Sequence, residues 1–353
     1  MTPQELGFSP ELEAFRLDNN LEEHLTGRVV SVHRERYGVK VGHDEYESEL
    51  IGNLRFTIES HADFPAVGDW VAISPYDDRK ALIHAIYPRS SMIERQAVGQ
   101  YGQTQVIATN IDCGLIVQAA DRDFNMNRID RYLTICNASE IEVAIVLSKI
   151  DLISEEESKV LHESLKERFT DIHIFLISNE SMQGLTELES IILPGKTYCL
   201  LGSSGVGKST LLNYLKGDQL MKTAPINTEI NRGKHTTTHR ELVVLKGGGI
   251  LIDNPGMREV GIGDTGEGLA MTFEQVSELS QDCRFKDCSH EIEEGCAVLE
   301  ALDAGELDHA AYTNFQKLKR EQAHFQMDVH EKRKKGKSLS KMIRSHQKAK
   351  RKK

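Results

Sequence analysis

The sequence has no hydrophobic run long enough to cross a membrane, and it contains little cysteine. A membrane-spanning helix needs about 20 consecutive apolar residues, so we expect no membrane partner. The acidic N-terminus also lacks the positively charged start and apolar centre of a secretory signal. Six cysteines among 353 residues are too few for a disulfide-rich secreted scaffold. These absences predict a cytoplasmic protein.

Both signs of charge are present, but they are unevenly distributed along the chain. The formal net charge is −11, whereas residues 332–353 contain 12 Lys or Arg and no Asp or Glu. Such a basic segment attracts polyanions, which favours binding to nucleic acid; a solvated, disordered arm is the alternative. The chain is also too long for one ordinary hydrophobic core, so we expect several domains.

A phosphate-binding motif lies near the middle of the chain. An apolar run before it predicts a buried strand, and leucines at helical spacing after it predict a helix. Backbone N–H groups of such a glycine-rich turn point at phosphates. Lys208 would place a charge between the β- and γ-phosphates, and the Ser209 hydroxyl would bind Mg²⁺. The motif has two glycines around four residues, then lysine and hydroxyl residues: Gly202, Ser203, Ser204, Gly205, Val206, Gly207, Lys208, Ser209 and Thr210.

A candidate base-binding motif follows an earlier apolar strand, and it consists of Ser148, Lys149, Ile150 and Asp151. Ligands bind beyond the carboxyl ends of strands in parallel sheets. The Asp151 carboxylate could accept both N–H groups on the edge of guanine, which adenine does not offer. The stem of Lys149 would cover the base plane. Ser148 stands where Asn or Thr is usual, and it lacks the side-chain amide of Asn.

Ser178 and Asn179 follow the next strand along the chain. This is where guanine-binding proteins place a loop whose backbone N–H reaches the base oxygen, so Ser178 is a candidate binding residue. A common turn at the end of a strand explains these two residues nearly as well. For the base motif, too, a chance Lys and Asp after a strand is an equally good explanation.

Two segments after the phosphate motif predict the switch elements of a nucleotide hydrolase. Asp253 ends an apolar strand and Gly256 follows three residues later, so they could supply a metal partner and an N–H for the γ-phosphate. A polar stretch with three consecutive threonines, residues 236–238, precedes them. The sequence does not fix which of these threonines reaches Mg²⁺, and Thr237 is our candidate catalytic residue together with Lys208.

The residue that orients the attacking water is less obvious. Many GTPases have glutamine after the Asp-x-x-Gly motif, but this chain has Met257, which cannot orient water. His235, beside the threonines, is the nearest candidate, since a neutral imidazole can hold a water molecule. A solvent-facing loop histidine is an equally good interpretation.

A metal-binding cluster is expected near the C-terminal third of the chain. Three thiols and one imidazole lie within fourteen residues, which is a closed tetrahedral set suited to one structural Zn²⁺. With all four positions taken by protein, the metal would maintain shape rather than catalyse. The four residues are Cys283, Cys288, His290 and Cys296.

The order of these motifs is their most specific property. Ordinary small GTPases begin with the phosphate loop and end with the base motif, whereas here the base motif comes first. Together with a β-rich N-terminal segment and the Cys/His cluster, this order resembles the RsgA (YjeQ) family of circularly permuted GTPases. The resemblance implies an α/β fold with a circularly permuted P-loop GTPase domain, an N-terminal OB-like β-barrel and a C-terminal zinc-binding helical domain. It also implies GTP hydrolysis that is stimulated by the small ribosomal subunit during its late maturation.

The corresponding parts are a barrel at residues 1–100, the GTPase domain at 101–266, the zinc-binding domain at 267–331 and a basic disordered tail at 332–353. We expect GTP or GDP, Mg²⁺ and one Zn²⁺ as bound groups, and a monomer that binds the small subunit and its rRNA. The barrel could bind RNA through Tyr37, Tyr46, Arg55 and Phe56. Its 17 acidic against 10 basic residues make a plain spacer equally plausible.

Two other functions remain open from the sequence. A nucleotide-gated rRNA-binding checkpoint factor, in which hydrolysis is incidental, is favoured by Met257. An ATPase is favoured only by the imperfect base motif.

Overall fold

The structure is a computed structural model, and it describes residues 1–96, 104–121, 124–217, 240–253 and 266–326. The chain divides into two compact units. The first is built from the described parts of Met1–Glu94 and Val106–Val260, and the second from those of Arg95–Gln105 and Gly261–Lys353. The division into four parts by sequence stays a prediction.

The N-terminal part of the first unit is a five-stranded barrel. Strands β1 and β4 close it, because β1 pairs with both β2 and β4 in the order β1-β2-β3-β5-β4. All pairs are antiparallel except β3 with β5. The elements are α1 (Pro10–Asp18), β1 (Leu25–His33), β2 (Arg36–Val41), β3 (Asp44–Leu50), α2 (Gly52–Thr57), β4 (Trp70–Asp77) and β5 (Lys80–Ile86).

The barrel interior is filled by alternate side chains of its strands, as the two-residue period of a β-strand requires. Tyr37 belongs to this interior with only 3% exposure. The sequence-based suggestion that Tyr37 contributes to an RNA-binding face is therefore wrong, because the pleat turns its ring inward. Phe56, in contrast, is 91% exposed.

The rest of the first unit alternates strands and helices, as its hydrophobic pattern predicts. The short strands β6 (Met92–Gln96) and β7 (Thr104–Thr109), which belong only in part to this unit, form a separate pair. The main elements are β8 (Cys113–Ala119), α3 (Met126–Asn137), β9 (Glu142–Ser148), α4 (Glu155–Arg168), β10 (His173–Leu176), α5 (Leu185–Ser190), β11 (Thr197–Leu201), α6 (Lys208–Lys216), β12 (Glu241–Val244) and β13 (Ile250–Asp253).

These strands form a sheet in the order β10-β9-β8-β11-β13-β12. The first five are parallel to one another, whereas β12 is antiparallel to β13. Buried apolar side chains cover both faces of the sheet. The carboxyl ends of β8, β9, β10 and β11 therefore meet at one edge, where a ligand is expected. The sheet continues into the barrel, because β12 pairs with β1 at Ser31 and Glu241.

The second unit is helical and has its own small core. Phe273, Phe315 and Leu318 are buried in this core, and Tyr312 packs against it. The C-terminal helix thus packs on this core through Tyr312, Phe315 and Leu318. Its helices are α7 (Gly266–Thr272), α8 (Glu274–Ser280), α9 (Ala297–Asp303) and α10 (His309–Gln326). Within the described parts of the chain, we find no helix with the length and apolarity required to traverse a bilayer.

Candidate nucleotide site and metal cluster

The phosphate motif forms a tight turn between β11 and α6. Gly202 has a φ of +147° and Gly207 has a φ of +95°, a region that residues with a side chain rarely adopt. A Cβ atom on Gly202 would also lie 2.3 Å from the carbonyl oxygen of Val117. The glycines are thus required by the close approach of the turn to the end of β8. α6 begins immediately afterwards at Lys208, so its free N–H groups face the turn.

Lys208 is held inside this turn. Its Nζ donates to the carbonyl oxygens of Gly202 at 2.7 Å and Ser203 at 2.6 Å. Asp253, at the end of β13, is half-buried, and this burial raises the pKa of its carboxyl group. The positive charge of Lys208 opposes that increase in the pKa. A cation, a carboxylate and a glycine-rich turn therefore share one end of the sheet.

The base motif touches the phosphate turn directly. The Ser148 hydroxyl, at the end of β9, is fully buried and donates to the carbonyl oxygen of Val206 at 2.6 Å. It also lies 3.1 Å from the carbonyl oxygen of Gln118 at the end of β8. The Ser148 hydroxyl therefore links the ends of β8 and β9 to the phosphate turn through its single proton.

Asp151 and Ser178 are joined by a hydrogen bond, which brings the base motif and the loop after β10 together. The Ser178 hydroxyl donates to Asp151 Oδ1 at 2.5 Å, and it accepts the N–H groups of Glu180 and Ser181. Asp151 itself is exposed at the edge of the sheet. These contacts fix the direction of a carboxylate that can accept two N–H groups from a ligand.

Two further residues at this edge were not predicted from the sequence. The ammonium group of Lys149 lies 3.2 Å from Asp121 Oδ2, just beyond the end of β8. Burial raises the pKa of Tyr132, on α3, and the neighbouring Ser203 of the phosphate turn opposes part of this increase. The position of Asp121 directly after a buried strand is a signal that could have identified it, whereas Tyr132 fits a core helix position equally well.

The structure therefore brings together most of the predicted nucleotide-site residues. The exceptions lie outside the described residues: His235, Thr237 and Gly256, along with Met257 and the threonines at 236 and 238. Their predicted roles stay predictions.

The four predicted metal ligands converge in the second unit. Their ligand atoms all lie within 4.8 Å of one another. Cys283 Sγ is 3.8 Å from Cys296 Sγ and 3.6 Å from His290 Nδ1, and His290 Nδ1 is 3.4 Å from Cys296 Sγ. A zinc tetrahedron with normal bond lengths has S–S edges of about 3.8 Å and S–N edges of about 3.6 Å. The donor set, which includes Cys288, is thus compatible with zinc.

Helix α10 stabilises the metal cluster through hydrogen bonds to the backbone of His290. The Tyr312 hydroxyl donates to the carbonyl oxygen of His290 at 2.5 Å, and Gln316 Nε2 lies 3.2 Å from the same oxygen. His290 has a φ of +64°. The two hydrogen bonds hold this residue in its left-handed backbone conformation and so fix the position of its imidazole.

The fold and the site define a circularly permuted P-loop GTPase, because the strand with the phosphate turn is central in the sheet but fourth in chain order among its parallel strands. Comparison with known proteins agrees. The family described as RsgA GTPase matches residues 86–263. The chain belongs to this family, and it is a GTP hydrolase.

Several relatives match nearly the whole chain. The small ribosomal subunit biogenesis GTPase RsgA 1 of Bacteroides thetaiotaomicron is 36% identical over 98% of this chain and 96% of its own. The small ribosomal subunit biogenesis GTPase RsgA of Opitutus terrae is 39% identical over 86% of this chain and 85% of its own.

Solved structures share the fold. YjeQ from Thermotoga maritima matches with a TM-score of 0.62 and 25% identity, covering 84% of this chain and 97% of its own. YloQ, described as a circularly permuted GTPase, matches with a TM-score of 0.60 and 24% identity, covering 85% of this chain and 96% of its own.

Proposed function

We propose that this GTPase binds the small ribosomal subunit and acts in its late maturation, and that the subunit stimulates its turnover. The names of its relatives support the ribosomal partner. The basic segment 332–353, with 12 Lys or Arg and no acidic residue, supports contact with rRNA phosphates. We further propose that it acts in the cytoplasm and binds the subunit as a monomer.

The observation that carries the GTP-binding part of the proposal is the junction between the base motif and the phosphate turn. Asp151 is aligned by Ser178, and Ser148 is bonded to Val206 within the turn. One nucleotide can therefore contact the carboxylate with its base and the turn with its phosphates. Lys208 would neutralise the phosphates in catalysis.

Other residues are assigned roles on chemical grounds. Ser209 and Asp253 would hold Mg²⁺ with one threonine of 236–238, for which we choose Thr237. His235 would orient the attacking water, and the Gly256 N–H would contact the γ-phosphate. The Cys283, Cys288, His290 and Cys296 cluster would hold one structural Zn²⁺.

A checkpoint factor that binds rRNA according to its bound nucleotide is the second candidate function. Met257 favours it, because this side chain cannot orient water. In that case hydrolysis would be incidental, and turnover would not depend on the subunit.

Nucleotide turnover with and without purified small subunits tests the proposal. We expect subunits to raise GTP hydrolysis by more than about tenfold and to leave ATP hydrolysis at background. Lys208→Ala should abolish the stimulated rate. GTP turnover that does not change when subunits are added would favour the checkpoint function.

Base recognition is tested separately with Asp151→Asn. An amide presents a donor where xanthine offers a carbonyl oxygen, so we expect this variant to prefer xanthosine over guanosine nucleotides. Unchanged guanosine preference in the variant would remove Asp151 from base recognition.

A further inference from the structure

The carboxylate of Glu293 is turned back onto the loop that carries the candidate ligand His290. Glu293 Oε1 accepts the backbone N–H of Ser289 at 2.9 Å and the hydroxyl of the same residue at 2.5 Å. Glu293 Oε2 accepts the N–H groups of Glu291 at 3.0 Å and Ile292 at 3.1 Å. Each carboxylate oxygen therefore receives two hydrogen bonds from the loop.

This carboxylate is not one of the four groups whose ligand atoms converge. An ionised carboxylate has about four acceptor sites, and the loop uses all four of them in Glu293. Two of the residues that it holds, Ser289 and Glu291, lie directly before and after His290 in the chain. Ser289 also directly follows the ligand Cys288. Glu293 thus fixes the backbone from which two of the four ligands project.

Helix α10 contacts the same loop through its carbonyl groups. The carbonyl oxygen of Ser289 accepts hydrogen bonds from Gln316 Nε2 at 3.1 Å and from Lys319 Nζ at 3.4 Å. Glu293 binds the N–H groups of the loop, whereas α10 binds its carbonyl oxygens, so the two contributions are complementary. Between them lies His290, whose left-handed backbone conformation is unfavourable for a residue with a side chain.

We propose that Glu293 is a positioning residue for the metal site, whose carboxylate holds the loop so that Cys288 and His290 reach their ligand positions. It thereby raises the affinity for zinc without binding the metal. The inference rests on the proposed zinc site. Residues that orient metal ligands typically change metal affinity by about 10–100-fold when they are replaced.

Zinc affinity of the full-length protein, measured by competition with a chelator, tests this role. Glu293→Gln keeps the size of the side chain but places an NH₂ group where two N–H donors now bind, so part of the hydrogen bonding is lost. We expect zinc to bind about tenfold more weakly to this variant. Glu294→Gln is the matched control, because it removes the same charge from the adjacent, exposed residue. It should keep the wild-type affinity.

A spectrum distinguishes positioning from a general loss of stability. Zn²⁺ has a filled d shell, so Co²⁺ is bound in its place and the d–d absorption bands report the ligand geometry. At saturating Co²⁺ we expect altered bands in Glu293→Gln and wild-type bands in Glu294→Gln. Wild-type zinc affinity in Glu293→Gln would overturn the inference, and so would weaker binding with unchanged bands, since the residue would then only stabilise the fold. A wild-type protein that binds no zinc would instead refute the zinc site itself, and the inference with it.

Discussion

Arg28 holds together three segments that are distant in the sequence. Its side chain is 1% exposed and donates to the carbonyl oxygens of Leu6 at 2.6 Å, Gly68 at 3.1 Å and Asn110 at 3.1 Å. Burial lowers its pKa to about 10, so it remains a cation at neutral pH. Its guanidinium group also lies 5.5 Å from the centre of the Trp70 ring. A planar group with five donors is suited to such divergent acceptors.

Arg28→Lys is expected to destabilise the first unit by ~2–4 kcal/mol, because an ammonium group cannot reach all three carbonyls and leaves buried acceptors unpaired. Urea unfolding followed by tryptophan fluorescence measures this, since Trp70 is the single tryptophan and lies in the barrel. Arg36→Lys is the control. Arg36 pairs with Glu47 and Glu49 on the surface, so its replacement should cost less than about 0.5 kcal/mol. Equal effects of the two substitutions would contradict the assigned role of Arg28.

The sequence could not have predicted this role. Arg28 lies between Gly27 and Val29 in a strand, and its position is compatible with an outward-facing charge. Its partners come from residues 6, 68 and 110, and only the folded chain brings them together. The nucleotide site differs in this respect, because the residues of each of its motifs are contiguous and strand ends in a parallel sheet must meet at one edge.

At the scale of single elements, helix α4 shows how local signals determine structure. Ser154 Oγ accepts the N–H of Glu157 at 3.2 Å, and Glu157 Oε2 accepts the N–H of Ser154 at 2.8 Å. These reciprocal bonds also lower the pKa of Glu157. A capping box of this kind can be recognised from the sequence, because all its atoms lie within four residues.

Ser154→Ala is expected to cost ~1 kcal/mol of stability and to speed hydrogen exchange in the first turn of α4. Ser158→Ala, one turn further on, is the matched control. Alanine has the higher helix propensity, so this change should be neutral or slightly stabilising. Indistinguishable exchange rates in the two variants would mean that the capping box does not stabilise the helix.

Strand β3 shows where element prediction fails. Its seven residues include four acidic ones, which are poor strand formers, so the sequence pattern does not predict a strand here. In the structure its side chains alternate, with Ser48 buried between exposed Glu47 and Glu49. Arg36 on β2 pairs with both glutamates. Cross-strand charge pairing thus compensates for the low strand propensity of the acidic residues. Such pairing cannot be predicted from the sequence until the neighbouring strands are known.

At the scale of the whole molecule, the two units are stabilised in different ways. The first has an 11-stranded sheet with apolar cores on both faces of its GTPase part. Among its described residues, the second has one small cluster of ten buried apolar side chains, two of which are the candidate ligands Cys288 and Cys296. Small cores rarely suffice for independent stability, so a bound metal ion is expected to contribute much of the folding free energy of the second unit.

Removal of the metal should therefore unfold the second unit and leave the first intact. We expect one Zn²⁺ per chain by elemental analysis, and chelation should speed hydrogen exchange in α9 and α10 while β11 and α6 keep their protection. Cys288→Ser should reproduce this without a chelator, because it removes one thiolate of the tetrahedron.

Cys113→Ser is the control, since Cys113 lies in β8, where burial raises the pKa of its thiol to about 12. That variant should retain its zinc. If Cys288→Ser also retains one Zn²⁺ and normal protection in α9 and α10, the cluster does not bind the metal on which this unit depends.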